Sequence, residues 1–351
     1  MHTFTGGEFI VMGIPAETLD SETLSIIKQV QPAGFILFAR NIKSPQQLRD
    51  LTESLRRAVN HEPIITIDQE GGRVSRLKEF MSEPPSARQF AERDDVALIE
   101  EHGLLTGKLL RLFGFNFNLA PVLDVELNSA NDNSLNQRAY GKSPEQVTRN
   151  ARAFLKGMKS QDILSCGKHF PGYSCASVDP HNALPTVDRS MEDMLKTEWV
   201  PFQQMLHELD SLMIGHVSYP QIDPSGVPAT LAPKMVRELV RTEWQFKGCT
   251  VTDDLDMGAI NKIYGSAEAA TMALKAGNDI LLVCHNVAGV PKIAEALAQV
   301  ERSVQEESFD RITQFRKRLP KPVQFSMDAF HALDAAVKKL RETTLPVSSE
   351  A

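Results

Sequence analysis

The chain has 351 residues, 42% of them hydrophobic and 24% charged, with a formal net charge of −7. That length is ample for a sizeable core in one large domain or two modest ones. The acidic balance, with no basic stripe to hold a phosphate backbone, excludes nucleic acid as a partner, and the lack of any run of about 18 apolar residues excludes a membrane span.

Short apolar runs alternate with helical stretches along the chain. The first run is Phe9 to Ile14, followed by a helix from about Ser21 to Val30 that begins at a Ser cap with Glu22 in its first turn. The second run is Ala33 to Phe38, after which Ser44-Pro45 opens a helix through about Val59, with Pro at the first helical position. The third, Pro63 to Ile67, ends at Asp68. A helix around Leu98 to Phe113 leads to the fourth, Phe115 to Ala120, and Pro144 opens a helix through about Lys159. The fifth, Ile163 to Gly167, runs into Lys168-His169, a Pro171-Gly172 break, and a polar loop that holds Asp179 and His181. A helix near Glu192 to Glu208 precedes the sixth run, Ser211 to Gly215, which ends at His216. A helix at about Pro233 to Glu243 precedes the seventh, Gly248 to Thr252, which ends at Asp253-Asp254. Ser266 to Ala276 reads as helix and Asp279 to Cys284 as the eighth run, with two or three amphipathic helices between about Val287 and Thr344.

Runs that are apolar on both faces suit parallel strands covered by helices, and regular β/α alternation implies a parallel sheet. Eight such repeats predict an α/β protein of the (β/α)8 TIM-barrel class, one domain over residues 1–345 with C-terminal helices and a flexible tail at 346–351. An open doubly wound sheet is the structural alternative, because counting runs does not establish closure.

The polar residues fall at one end of the runs. Run three delivers Asp68-Gln69-Glu70-Gly71-Gly72-Arg73 and Arg76, run four Asp124, run five Lys168-His169, run six His216 and run seven Asp253-Asp254. In a barrel these ends share one mouth, where active sites are built. A single Asp after a strand commonly caps the next helix. Five consecutive strands delivering Asp, Lys or His at the same end are hard to explain by capping alone. Gly71-Gly72 sits in no dinucleotide or Walker pattern and reads as a tight turn that needs positive φ. Asp253, Asp254 and Asp256 lack further ligands at metal spacing, so no metal is expected. His285, after run eight, is a candidate for the rim of the mouth.

Cys166, Cys249 and Cys284 lie in apolar runs and Cys175 in the polar loop, with no CxxC pair, so free thiols in a reducing compartment are expected. The sequence from Met1 lacks a basic segment followed by an apolar one, so a cytoplasmic location is the expectation.

These segments resemble a known family. Asp68-Gln69-Glu70-Gly71-Gly72-Arg73-Val74-x-Arg76, Asn118-Leu119-Ala120-Pro121-Val122-Leu123-Asp124-Val125, Arg138-Ala139-Tyr140-Gly141, Lys168-His169-Phe170-Pro171-Gly172 and Val251-Thr252-Asp253-Asp254-Leu255-x-Met257 are similar, in the same order, to the motifs of the glycoside hydrolase family 3 β-N-acetylglucosaminidases. The resemblance covers roughly residues 8 to 285 and leaves the tail without a motif. It implies a cofactor-free enzyme that removes N-acetylglucosamine from the non-reducing ends of glycans such as peptidoglycan-derived muropeptides, with retention, through a glycosyl-Asp intermediate. The implied partner is this small glycan, and the implied state a monomer or weak homodimer.

Carried over by position, Asp253 is the nucleophile, His181 the general acid/base and Asp179 its partner, while Asp68, Arg76, Arg138, Lys168, His169 and His216 hold the sugar. Such cleavage needs a nucleophile on one face of the anomeric carbon and a proton donor at the leaving oxygen. A carboxylate at a strand end suits the first role, and an imidazole that titrates near neutrality suits the second. This chain departs from the pattern at Tyr173-Ser174, where the family has His-Gly, and at Pro180, where it has Ser. Four alternatives stay open: a β-glucosidase, a phosphorylase, a Schiff-base aldolase working through Lys168, and a glycan-binding barrel without turnover.

Overall fold

The computed structural model describes residues 3–127, 134–176, 178–180 and 182–345. Eight parallel strands form one sheet: β1 Ile10–Gly13, β2 Gly34–Leu37, β3 Ile64–Ile67, β4 Phe117–Asn118, β5 Leu164–Phe170, β6 Ser211–Ile214, β7 Cys249–Thr252 and β8 Leu281–Val283. Each neighbours the next in sequence, and β8 pairs with β1 through Ile10 opposite Leu281. A bridge from Val251 to Ile280, with the Thr252 N–H donating to the Ile280 carbonyl at 2.9 Å, closes the ring between β7 and β8. The sheet is therefore a (β/α)8 barrel. The strand residues are largely apolar, as a sheet buried on both faces requires, although the buried Thr66 hydroxyl of β3 has no hydrogen-bond partner among the described residues.

The helices follow the expected order, with local differences. The first helix, Ser21–Val30, is capped by Asp20 and not by Ser21: the Asp20 carboxylate accepts from Thr23 N at 2.7 Å. The stretch expected as one helix near 192–208 is two, Met191–Lys196 and Trp199–Met205, broken at Thr197. Lys234–Glu243 winds with π-type turns. The helices Val96–Phe113 and Pro144–Lys159 cross closely because Gly103 and Gly157 lack side chains; a Cβ on either would fall about 2 Å from a carbonyl of the facing helix. The tail forms Val290–Leu297, Arg302–Arg316 and Met327–Thr344. The expected loose end, 346–351, lies outside the described residues.

Two strands shape the mouth. β4 is much shorter than its apolar run. Pro121 has no N–H to continue the ladder, and the Asn116 and Asn118 side chains take over the bonding. Asn118 accepts from Gln69 N and donates to Gln69 O, both at 3.0 Å. β5 instead runs on through Lys168 and His169, where the register with β6 shifts between Gly167 and Phe170. Strict alternation would send consecutive side chains to opposite faces. The shift, a bulge, brings both onto the mouth.

Candidate active site

A cavity of about 450 Å³ opens at the C-terminal ends of the strands. Asp68, Arg76, Arg138, Lys168, His169, Asp179 and Asp253 all line it, so the structure gathers these expected residues from distant stretches. His181 lies outside the described residues. His216 does not line the cavity; it is buried beneath the β7 loop.

The polar wall is built around Glu70 and Lys168. Asp68 follows β3, and the chain then folds into a hairpin of Gln69–Gly71 with Val74–Ser75. The Gly71-Gly72 turn has φ values of 111° and 53°, the left-handed region that glycine supplies. Lys168 Nζ lies 2.6 Å from both Asp68 Oδ1 and Glu70 Oε1 and is 1% exposed. Arg138 meets Glu70 through two parallel bonds of 2.8 Å, the fork geometry that fits guanidinium to carboxylate. Arg76 reaches Asp68 Oδ2 at 3.5 Å.

Burial alone would favour neutral groups here. The opposed charges outweigh it. Asp68 and Glu70 are held below the ordinary carboxylate range despite burial, by Lys168 and Arg76 for Asp68 and by Arg138 and Lys168 for Glu70. Burial likewise opposes the Lys168 ammonium, and Asp68 and Glu70 raise its pKa regardless. A Schiff-base lysine needs a free amine; a charged ammonium paired to two carboxylates does not supply one, which counts against the aldolase alternative.

His169 is oriented by Asp124, a fully buried carboxylate. Oδ2 of Asp124 takes the His169 backbone N–H at 2.9 Å and ring Nδ1 at 2.7 Å, and Oδ1 takes Tyr173 N at 3.2 Å. Arg138 Nη2 stands 3.1 Å from His169 Nε2. A guanidinium only donates, so Nε2 accepts and Nδ1 carries the proton. Tyr173, one of the departures from the family pattern, packs its ring edge-on to His169 at 5.1 Å. Its hydroxyl lies 3.2 Å from Ser134 Oγ and 3.4 Å from Arg138 Nη1. It thus joins the loop after β5 to the loop after β4.

The same cavity is lined by Asp253, Asp254, Asp256 and His285. Asp253 follows β7; its N–H donates to the Ile214 carbonyl at 3.0 Å, and its Oδ1 accepts from Asp254 N at 2.9 Å. Asp254 Oδ1 accepts from Asp256 N at 3.0 Å and from Cys284 N at 3.1 Å, tying the β7 loop to the end of β8. Burial pushes the Asp254 carboxyl up to about 7. His285 does stand at the mouth, stacked on Phe38 at 5.5 Å. Among the described residues no group of three or more His, Cys, Asp or Glu side chains has the geometry to hold a metal ion. The four cysteines are free thiols, and burial pushes the Cys166 thiol up to about 12.

Sequence reading underused three residues. Glu70 and Asp124 stood in the strand-end pattern without a role. The signal for Glu70 was its spacing of two from Asp68 where the chain leaves the third run. Nothing in the sequence signalled that Phe38, after β2, would face the same cavity.

The family model described as the Glycosyl hydrolase family 3 N terminal domain matches residues 6–347. Over 293 residues the chain is 34% identical to a beta-hexosaminidase of Pseudomonas aeruginosa, covering 83% of this chain and 87% of that protein. It is 36% identical over 268 residues to a beta-hexosaminidase of Methylococcus capsulatus, covering 75% and 79%. Among solved structures, the β-N-acetylglucosaminidase of a fungal multi-domain family 3 protein superposes with a TM-score of 0.92 at 28% identity over 97% of this chain, which spans 42% of that protein's length. Native NagZ from Neisseria gonorrhoeae superposes with a TM-score of 0.82 at 27% identity, over 95% of this chain and 98% of that one.

Proposed function

The chain belongs to glycosyl hydrolase family 3, and on that premise we propose that it is a retaining exo-β-N-acetylglucosaminidase acting on small glycans such as peptidoglycan-derived muropeptides in the cytoplasm. Asp253 attacks the anomeric carbon and forms a glycosyl ester. His181 protonates the leaving oxygen, then deprotonates the incoming water. Asp179 orients that imidazole and favours its charged form, as the acid of a catalytic triad does. Asp68, Arg76, Arg138, Lys168 and His169 bind the sugar hydroxyls and the acetamido group.

The observation that supports this reading most is one cavity lined together by Asp253, by the Asp68, Lys168 and Arg138 cluster and by Asp179. The cluster is charged and held in place before any ligand arrives, so it spends little reorganisation on binding. The beta-hexosaminidase names of the relatives point to the same sugar class.

The test is to trap the intermediate. A slow 2-fluoro glycoside should add one sugar to the protein, and peptide mapping should place it on Asp253. Label on another residue would refute the assignment. Rates on aryl N-acetylglucosaminide and aryl glucoside, measured side by side, should favour the former; the reverse ranking would make the protein a β-glucosidase. Adding phosphate should leave the product unchanged, and a sugar 1-phosphate would identify a phosphorylase.

A further inference from the structure

His216 was expected to hold sugar. Its position beneath the β7 loop suits a different task. The ring is 1% exposed and lies just past β6. Its Nε2 is 2.8 Å from the Asp254 carbonyl oxygen, and its Nδ1 is 2.8 Å from Thr230 Oγ1. The same hydroxyl oxygen is 2.8 Å from the Gly215 carbonyl and 3.1 Å from the Ile214 carbonyl.

Counting protons settles the charge of the ring. The carbonyl of Asp254 only accepts, so Nε2 must carry a hydrogen. Thr230 has one hydroxyl proton. If the ring were neutral, that proton would go either to Nδ1, leaving Oγ1 facing the Gly215 oxygen, which also accepts from Val217 N at 3.2 Å, with no proton between them, or to Gly215, leaving Oγ1 facing the Nδ1 lone pair. Either choice leaves two acceptors 2.8 Å apart in a buried place, a costly arrangement. With both nitrogens protonated each acceptor has a donor: Nδ1 donates to Thr230, Thr230 to Gly215 and Nε2 to Asp254, while the Ile214 carbonyl takes the Asp253 N–H.

We propose that His216 is a positioning residue for Asp253: a buried imidazolium that pins the Asp254–Leu255 peptide, one unit past the nucleophile, and supplies positive charge on the side of the nucleophile away from the cavity. Asp254, whose carbonyl it holds, offers its own N–H in the preceding peptide to Asp253 Oδ1 at 2.9 Å, so the contact restrains the residue that carries the donor. The acidic residues of the β7 loop are Asp253, Asp256 and Asp254, the last pushed by burial up to about 7 and so only partly charged at neutral pH. β5, which pairs with β6, carries Lys168 and His169; His285 stands 3.5 Å from the Asp254 carboxylate at the end of β8, and the turn that carries Thr230 brings no charged residue. A cation there lowers the pH at which Asp253 takes up a proton. This inference rests on Asp253 as the nucleophile for its kinetic consequence, but not for the state of the ring.

Two measurements test it on the full chain. With ¹⁵N-labelled histidine, NMR should show one ring with both nitrogens protonated from pH 6 to pH 8, absent in His216→Gln and turned to a neutral pattern in Thr230→Val, which leaves Nδ1 without an acceptor. A neutral ring at pH 7 in the unaltered protein overturns the proposal. In His216→Gln, which keeps a donor toward Asp254 but no charge, the acid limb of the kcat/KM profile should move up by about one pH unit. A purely structural residue would lower the rate at every pH with the limb unmoved, and that result also overturns the proposal. Mapping the 2-fluoro adduct in the unaltered protein separates a failure here from a failure of the nucleophile assignment.

Discussion

Glu70 serves two cations at once, Arg138 through a double bond pair and Lys168 through a single short contact. All three are buried, so none can be removed without leaving charge uncompensated in a poor solvent for it. Glu70→Gln keeps the shape and one acceptor but deletes the charge. It should destabilise the protein by about 3–5 kcal/mol in urea denaturation and lower kcat/KM on aryl N-acetylglucosaminide, because Lys168 and Arg138 would then compete for Asp68. An unchanged denaturation midpoint would show that the remaining carboxylate suffices. The dense charge here was legible as residue types; the pairing was not. Asp68, Glu70, Lys168 and Arg138 each stand in a recognisable segment, but which carboxylate meets which cation depends on the hairpin after β3 and the bulge in β5.

The helix Val96–Phe113 lies behind that hairpin and carries His102 into the core. The ring stacks on Phe90 at 4.9 Å and lies 5.1 Å from Phe154, and neither nitrogen has a hydrogen-bond partner among the described residues. Burial drives its pKa from 6.5 down to about 3. The folded protein binds this proton more weakly than the unfolded chain does, so stability is intact above pH 6.5 and declines as the pH falls toward 3. At pH 5 this group should cost about 2 kcal/mol relative to pH 7. His102→Phe should remove that part of the acid sensitivity, read as a smaller drop in urea midpoint between the two pH values; an equal drop would mean that the ring is not the cause. The same ring explains why position 71 is glycine: a Cβ there would lie 2.9 Å from His102 Cε1 and 2.5 Å from the Pro85 carbonyl. The expected limits of the helix, about Leu98 to Phe113, lie within two residues of the observed Val96–Phe113. That its buried face held an unpartnered histidine was hidden, because a lone histidine in an apolar pattern carries no sign of what surrounds it.

At the scale of the molecule the tail, which matches no catalytic motif, supports the mouth. The helix Met327–Thr344 packs on Val96–Phe113 through Phe330, whose ring lies 5.5 Å from Phe80 and 5.9 Å from Phe113. It also holds the loop that follows Arg76. Asp334 accepts from Ser82 N at 2.7 Å, Arg341 donates to the Glu83 carbonyl at 2.9 Å, and the Pro84 carbonyl in turn accepts from Gly72 N at 2.9 Å. Phe330→Ala should therefore cost about 3–5 kcal/mol of stability while leaving kcat close to normal at temperatures where the protein stays folded. A large loss of kcat in the folded variant would mean that the tail tunes the site beyond holding it. The sequence by itself determined the β/α alternation, the order of the elements and the residue types at the strand ends, because periodicity and capping are local and each segment expresses them alone. It left open whether the sheet closes, which the pairing of β8 with β1 decides. It also put His216 with the sugar-binding residues, whereas the folded chain turns that ring beneath Asp254. Closure, charge pairing and the direction of a side chain are properties of surfaces that meet only after folding, so only the tertiary structure could decide them.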